Sequence, residues 1–310
     1  MAVVERRARV MASELHVIAV DGPVGQLDAL VGTLHRLEQR WSRFIATSDV
    51  SRINAAAGSP VAVADETIVL VDAMVDAWRA TGGRFDPSVL PALVREGYAA
   101  SREDASRRTT LPAATRGPGR MGEVVVDHAR STVMVPTGTA IDPGGIGKGL
   151  AADRGVVALL AGGATGALVG IGGDLAMGGE PPGADGWLVR IEHADQAAGE
   201  LCRVAVSGGG VATSSVGSRR WFVDGYEHHH LIDPATGREA ETDLASVTVF
   251  AATGWWAEAS ATAALLAGRA EVVRQLEGQQ LSGLAIAADG SVLRTHDLAE
   301  IELNHPVPAR

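Results

Sequence analysis

The stretch Ile141-Asp142-Pro143-Gly144-Gly145-Ile146-Gly147-Lys148-Gly149-Leu150-Ala151-Ala152-Asp153-Arg154 joins a glycine-rich loop to the start of an apolar, helix-like run. Its Lys148 is the single lysine of a 310-residue chain that otherwise uses arginine for positive charge. Glycines let a backbone come close to a ligand, and the free N–H groups at a helix start attract anions. A lysine there adds a compact charge that suits phosphate. The stretch therefore predicts a phosphate-binding loop, and the alternative is a solvated lysine after a tight turn.

Composition and charge limit the classes of function. The formal net charge is −10 and Lys and Arg form no block, which argues against nucleic acid or an anionic membrane as the main partner. The single Cys202 excludes an internal disulfide and a cysteine-based metal site. Neither a signal-peptide core near the N-terminus nor a run of about 18 apolar residues is present. We therefore expect a cytoplasmic protein without a membrane anchor.

Hydrophobic periodicity predicts helices and strands that alternate irregularly along the chain. Helical patterns lie at residues 24–41, 65–78, 148–160, 255–266 and 271–276. Strand patterns lie at 15–20, 123–127, 132–135, 167–171, 187–191, 203–206, 221–223, 244–251, 284–287 and 292–295. Because this spacing is not that of a doubly wound sheet, we predict an α+β fold of mixed or antiparallel sheets with packed helices.

Domain organisation follows from the same reading. We expect a single domain over residues 1–310, since no linker composition interrupts the chain. Residues 101–122 are rich in Arg, Ser, Thr, Gly and Pro and predict an exposed loop. Residues 300–310 predict a loose tail.

Two glycine-containing clusters are candidate ligand contacts. Gly82-Gly83-Arg84-Phe85-Asp86-Pro87 places an aromatic ring and a carboxylate just beyond a helix end, although a helix cap followed by a core Phe is equally compatible. Gly172-Gly173-Asp174 follows an apolar strand, where glycines mark either close backbone approach or a plain turn.

Three consecutive histidines precede a turn in His228-His229-His230-Leu231-Ile232-Asp233-Pro234. Consecutive residues of a strand point to opposite faces, so a metal site of histidines alone is disfavoured. One histidine beside a phosphate, as a general base or an anion donor, fits the pattern better. His230 is the candidate for this role.

Glu258 and Thr262 stand four residues apart on a predicted helix and so share a face. A carboxylate with a hydroxyl oxygen suits Mg²⁺, which prefers hard oxygen ligands. The alternative is a threonine that bonds back to the carbonyl of the preceding turn.

The order of these motifs resembles the ApbE family of FAD:protein FMN transferases, from about Met11 to Gly268. The resemblance is carried by five segments: Ser48-Asp49-Val50-Ser51-Arg52-Ile53-Asn54, Gly82–Pro87, Asp142–Gly149, Ala212-Thr213-Ser214-Ser215 and His230–Pro234. It implies a T-fold-related unit with an FAD cleft, which transfers FMN from FAD to a Ser or Thr hydroxyl of an acceptor flavoprotein, uses Mg²⁺ and releases AMP.

The resemblance also implies site residues. Those expected to contact FAD are Met11, Phe44, Arg84, Phe85, Asp86, Asp142, Gly144, Gly145, Gly147, Lys148 and Ile232. Those expected to hold Mg²⁺ are Gly145, Glu258 and Thr262, and those expected to act in catalysis are His230 and Lys148.

The chain departs from the family pattern at several of these positions. Glu258 stands where the family has Asp, which puts the metal site in question because Mg²⁺ tolerates little deviation from octahedral geometry. Arg84 and Gly147 replace Ala, Phe44 replaces Tyr, and Ser215 replaces Gly. Two alternatives therefore stay open, an FAD pyrophosphatase that gives FMN and AMP, and a non-catalytic FAD-binding protein.

Overall fold

A computed structural model describes residues 2–23, 25–56, 58–193, 199–223 and 225–300. The helices are α1 (Gly25–Trp41), α2 (Asp49–Ala55), α3 (Asp65–Ala80), α4 (Leu90–Arg95), α5 (Gly147–Ala161), α6 (Gly254–Ala267) and α7 (Val272–Gly278). The strands are β1 (Val3–Val10), β2 (Ser13–Val20), β3 (Val61–Ala62), β4 (Val125–Asp127), β5 (Thr132–Met134), β6 (Gly166–Ile171), β7 (Asp174–Gly179), β8 (Trp187–Glu192), β9 (Glu200–Val206), β10 (Gly209–Ser215), β11 (Arg220–Val223), β12 (Tyr226–His229), β13 (Ile232–Asp233), β14 (Arg238–Glu239), β15 (Leu244–Ala251), β16 (Ser282–Ala287) and β17 (Val292–Arg294).

The main sheet has eight strands in the order β1-β2-β6-β7-β10-β15-β16-β17, and every neighbouring pair is antiparallel. Smaller antiparallel sheets are formed by β3-β5-β4, β8-β9, β11-β12 and β13-β14. The α+β prediction is therefore confirmed, and the large sheet is antiparallel rather than mixed.

Two tight hairpins shape one end of this sheet. Met11 and Ala12 join β1 to β2 with φ of 51° and 56°, a left-handed conformation that non-glycine residues adopt only at a cost. Gly172 and Gly173 join β6 to β7 with φ of 61° and 95°, which glycine adopts freely. The second turn places Asp174 at the first position of β7.

The two faces of the main sheet are covered differently. Alternation along β2 buries Leu15, Val17 and Ala19 against α1 and α5, since successive side chains of a strand point to opposite faces. On the other face, Val20 and its neighbours pack against the hairpin of β8 and β9, which contributes buried Trp187. The sheet thus lies between a helical layer and a hairpin.

Helices α5 and α6 cross at very close range where α6 begins. A Cβ atom on Gly149 would lie 2.4 Å from the carbonyl oxygen of Gly254, so a side chain at this position has no room. Asp153 of α5 accepts hydrogen bonds from the N–H groups of Gly254 (2.7 Å) and Trp255 (2.9 Å), and so caps α6. Burial raises the pKa of Asp153 to about 6 despite these two bonds.

Several short elements were not predicted from the sequence. Strand β1 has an exposed, arginine-rich pattern that carries little hydrophobic periodicity, and α2 has only seven residues, capped by Ser48.

Residues 101–120 contain no helix or strand, only a bridge between Ala100 and Arg108, while Met121 beyond them is fully buried. Residues 301–310 of the predicted tail, and Val24 of the first helical pattern, lie outside the described residues. No helix in the described residues is long and apolar enough to cross a membrane.

Candidate functional site

A cleft of about 630 Å³ opens where the β1-β2 turn, the loop before α5 and the segments around β11 and β12 meet. Every residue that the sequence analysis predicted to contact FAD, hold Mg²⁺ or act in catalysis lines it: Met11, Phe44, Arg84, Phe85, Asp86, Asp142, Gly144, Gly145, Gly147, Lys148, His230, Ile232, Glu258 and Thr262. Residues that are up to about 250 positions apart in the sequence therefore share one cavity.

The glycine-rich loop is held by its own backbone and by Asp142. The Asp142 carboxylate accepts a hydrogen bond from the Gly144 N–H (3.0 Å), and the Gly147 N–H donates to the carbonyl of Pro143 (2.8 Å). A Cβ atom on Gly145 would approach the Phe85 ring to 3.0 Å and would lie 3.7 Å from the Thr262 hydroxyl. The loop backbone therefore packs directly on the Phe85 ring. Helix α5 begins at Gly147, so its N-terminus lies at the cleft.

Lys148 lies between two buried carboxylates. Its ammonium group donates to Asp174 and, at 2.6 Å, to Glu258, whose other oxygen accepts the Gly149 N–H at 2.8 Å. Burial lowers the pKa of Lys148, but the charges of Asp174 and Glu258 outweigh it and leave that pKa above its usual value. Burial raises the pKa of Glu258 to about 7, against the opposing charge of Lys148. The predicted phosphate lysine is thus already paired within the protein.

The predicted metal ligands offer oxygen atoms that fit a hard cation. Thr262 lies with its hydroxyl 2.9 Å from that of Ser214 and also bonds back to the Glu258 carbonyl at 3.4 Å. Gly145 has its backbone near Thr262, since a Cβ atom there would lie 3.7 Å from the Thr262 hydroxyl, and Glu258, Thr262 and Gly145 all line the cleft. Carboxylate, hydroxyl and carbonyl oxygens are ligands that Mg²⁺ accepts. No group of three or more His, Cys, Asp or Glu side chains in the described residues is arranged to hold a metal ion.

His230 is half-buried at the cleft, and its inaccessible Nδ1 atom has no hydrogen-bond partner among the described residues. Burial, followed by the positive charge of Arg219, lowers the pKa of His230 to about 3, so the ring is neutral at neutral pH. His228 and His229 instead pair with Glu239, at 2.9 Å and 3.3 Å. The structure therefore groups His228 with His229 on Glu239 and leaves His230 alone at the cleft, a grouping that alternation along a strand does not predict.

The aromatic side of the cleft contains a buried arginine that sequence reasoning missed. The Arg43 guanidinium lies 4.1 Å from the centre of the Phe44 ring and 4.7 Å from that of Tyr98. It also pairs with the Asp142 carboxylate at 3.1 Å and donates to Thr109 at 2.7 Å. Arg43 thus connects the Phe44 and Tyr98 rings to the glycine-rich loop through Asp142. A Trp-Ser-Arg-Phe segment carries no periodic or motif signal that would have identified it.

The remaining polar residues of the cleft are engaged in different ways. The Asp86 carboxylate accepts from the N–H (2.7 Å) and hydroxyl (2.6 Å) of Ser88 and from the Gly119 N–H (3.0 Å). Burial raises the pKa of Asp86, and these bonds oppose that rise. Arg84 is exposed and donates to Gln275 at 2.7 Å. Asp86 therefore anchors the irregular segment before Met121 to the cleft wall.

Two further residues of the cleft had no role in the sequence analysis. Asp174 follows the Gly172-Gly173 turn, which was singled out but not assigned, and the structure shows that this turn delivers its carboxylate to Lys148. Arg219 lies just before β11, where nothing in its local sequence distinguishes it from Arg220.

Comparisons with known proteins agree on one family. A sequence model of the ApbE family matches residues 11–286. A protein named FAD:protein FMN transferase from Treponema pallidum is 32 % identical over 238 residues, which are 71 % of this chain and 65 % of that protein. The chain thus spans just under two thirds of the length of that relative.

Solved structures agree over nearly the whole chain. An ApbE protein from Thermotoga maritima matches with a TM-score of 0.84 and 27 % identity, over 96 % of this chain and 98 % of its own. The flavinyl transferase ApbE of Pseudomonas stutzeri matches with a TM-score of 0.79 and 25 % identity, over 97 % and 96 % of the two chains. On the extent of the sequence match and of the shared fold, the chain belongs to the ApbE family.

Proposed function

We propose that this protein is an FAD:protein FMN transferase, which moves FMN from FAD to a Ser or Thr hydroxyl of an acceptor flavoprotein and releases AMP. The observation that carries the proposal is that the α5 N-terminus, Lys148 and the neutral His230 line one cleft. A helix N-terminus with a lysine suits a diphosphate, and a neutral imidazole suits proton transfer. The name of the Treponema relative describes the same activity for that protein.

In the proposed reaction the acceptor hydroxyl oxygen forms a bond to the FMN-side phosphorus, and the bond from that phosphorus to the AMP phosphate oxygen breaks. The hydroxyl proton passes to the free ring nitrogen of His230. A pKa of about 3 describes a very weak base, but the negative charge of a bound diphosphate opposes the charges of Arg219 and Lys148 that lower it. Substrate binding therefore raises the pKa of His230 toward the range in which a base works.

The cleft residues take the following proposed roles. The backbone of Gly144, Gly145 and Gly147 and the Lys148 side chain face the diphosphate. Apolar contacts with the FAD rings come from Met11, Phe44, Phe85 and Ile232. Arg84, Asp86 and Asp142 contact its polar edges. The protein acts as one domain, since these residues are drawn from most of its length.

Mg²⁺ would be held by Glu258, Thr262 and the Gly145 carbonyl, whose oxygens suit it. When bound, it neutralises charge on the phosphates. Glu258 has both oxygens engaged, by Lys148 and by the Gly149 N–H, so metal binding would compete with these bonds. With Mg²⁺ bound to Glu258, Asp174 would remain as the carboxylate partner of Lys148.

The test is an incubation of the full chain with FAD, Mg²⁺ and a flavin-acceptor domain, read by intact-protein mass and by AMP release. Transfer adds FMN less one water to the acceptor and yields AMP. AMP without a labelled acceptor would identify a pyrophosphatase. Tight FAD binding without Mg²⁺-dependent turnover would identify a non-catalytic binder.

A further inference from the structure

Three arginines at the cleft take part in no ion pair within the described part of the chain: Arg84, Arg102 and Arg219. Arg84 and Arg102 are exposed, whereas Arg219 is half-buried. A charge held away from water without a counter-ion is costly, so such a group is expected to have a partner in the working protein.

Arg219 and His230 both lie at the open end of the β11-β12 hairpin. Arg220, the first residue of β11, pairs with His229, the last residue of β12. Arg219 immediately precedes this pair in the sequence, and His230 immediately follows it. Both line the cleft, and after burial the charge of Arg219 is the largest influence that lowers the pKa of His230. Arg219 therefore lies close to the ring that is proposed to handle the proton.

The other cations near the loop are already neutralised. Lys148 pairs with both Asp174 and Glu258, so this group contains one positive and two negative side chains. Arg43 pairs with Asp142. A diphosphate carries negative charge that must be matched, and the α5 N-terminus supplies only a partial positive charge. Mg²⁺, held as proposed, would change the net charge of Lys148, Asp174 and Glu258 from minus one to plus one, which still leaves part of the diphosphate charge unmatched.

We propose that Arg219 supplies the positive charge that Lys148 and Mg²⁺ leave unmatched at the diphosphate of FAD. The inference rests on the proposed function, since it assumes that FAD occupies this cleft. A guanidinium presents a planar set of N–H donors that matches phosphate oxygens in pairs. The same contact removes the unpaired charge beside His230, which links substrate binding to the readiness of that ring to accept a proton.

The experiment compares Arg219→Ala with Arg220→Ala in the full chain. Arg220 is the adjacent arginine, pairs with Glu227 at 3.0 Å and does not line the cleft, so it is a matched control. FAD and riboflavin are titrated separately by quenching of flavin fluorescence, because riboflavin lacks the phosphates. We expect Arg219→Ala to weaken FAD binding by about ten- to a hundredfold and to leave riboflavin affinity unchanged. Arg220→Ala should match the unaltered protein for both ligands.

Two other results would overturn the assignment of Arg219, and they differ in what they imply for the proposed function. Unchanged FAD affinity in Arg219→Ala, or an equal loss for FAD and riboflavin, would overturn the assignment while leaving the proposed function in place. Failure of the unaltered protein to bind FAD would overturn the proposed function and this inference with it. Arg219→Gln keeps the bulk of the side chain and gives the same comparison if the alanine variant does not fold, while Arg219→Lys should recover part of the affinity.

Discussion

The two walls of the cleft differ in how far the protein satisfies its own polar groups. The loop wall, residues 142–149, is internally paired: Lys148 has two carboxylate partners and the Gly149 N–H has a third bond. The hairpin wall, formed by Arg219 before β11 and His230 after β12, leaves the His230 Nδ1 atom and the Arg219 charge without such partners among the described residues. Buried polar groups are nearly always satisfied, so the exceptions point to where a ligand completes the structure. The loop wall therefore sets the shape of the cleft, and the hairpin wall offers the polar groups that a negatively charged ligand would satisfy.

The largest expected effect comes from breaking the loop wall at Lys148. Lys148→Met leaves Asp174 and Glu258 as two buried carboxylates without a counter-ion, and removing one partner of a buried pair costs about 3–5 kcal/mol. We expect the free energy of unfolding, measured by urea titration at pH 8, to fall by this amount. The loss should be smaller at pH 5, since Glu258, with a pKa already near 7, becomes neutral there.

Arg154→Met is the control for this change, because Arg154 lies on the same helix but outside the cleft. Its effect on stability should stay within about 0.5 kcal/mol. If Lys148→Met were no less stable than the control at pH 8, Lys148 would not be the group that neutralises the two carboxylates, and the loop wall would not be internally paired.

The next effect concerns the hairpin wall. His230→Asn should lower the rate of FMN transfer at least about a hundredfold, the usual scale for the loss of a general base, while FAD affinity stays nearly the same. The separation is expected because the His230 Nδ1 atom makes no bond that supports the fold. Steady-state rates and fluorescence titration measure the two quantities independently.

His228→Asn serves as the internal comparison, since that ring pairs with Glu239 and stacks on Trp221 away from the cleft. It should leave the transfer rate within a few-fold of the unaltered protein. A proportional loss of affinity and rate in His230→Asn would make His230 a binding contact and would move the search for the base to Asp233.

The same contrast explains what the sequence could predict. Helices α1 and α3 have hydrophobic residues at a helical period, and α5 and α6 are long apolar runs. The loop wall contains glycines with one lysine, and all of these are local signals. Strands β1 and β12 are exposed and mostly polar and were not predicted, because their pairing depends on tertiary contacts that no local window contains. The apolar residues 221–223 of β11 did predict a strand. Prediction succeeded where local pattern and fold coincide.

The candidate site shows the limit more sharply. Lys148, Glu258 and Thr262 were identified by spacing and residue type. The pairing of Lys148 with Asp174 and Glu258 was not, because these partners lie 26 and 110 positions away in the sequence. Arg43 and Arg219 escaped notice, since an arginine in a chain rich in arginine has no distinguishing neighbour pattern. What separates Arg219 from Arg220 is burial and the absence of an ion pair among the described residues, and both are properties of the fold.

A smaller effect tests how rigid the loop wall is. Gly149→Ala places a methyl group 2.4 Å from the Gly254 carbonyl oxygen, a backbone atom that moves only if α6 moves. Such overpacking should lower the free energy of unfolding by about 2–3 kcal/mol. Gly163→Ala is not a suitable control because its φ is 102°, whereas Gly25→Ala meets no atom within 4 Å and should be neutral or slightly stabilising. Equal stability of the two variants would mean that α5 and α6 separate easily.

The smallest expected effect is a pH dependence at Asp153, the residue that fastens α6 to α5 behind the loop wall. Its pKa is raised by burial from 3.8 to about 6, so the folded protein binds the proton more tightly than the unfolded chain does. The resulting stability is present in full below about pH 4 and is lost as the pH rises through 6. The stability difference between the unaltered protein and Asp153→Asn, from urea unfolding, should therefore decline by about 2 kcal/mol between pH 4 and pH 7. Asp289→Asn is the control, since Ser291 and Arg269 hold the pKa of Asp289 well below its usual value and its difference should stay flat over this range. A flat difference at Asp153 as well would mean that its carboxylate is hydrated, and that the bonds to Gly254 and Trp255 close the α5-α6 contact less tightly than the geometry implies.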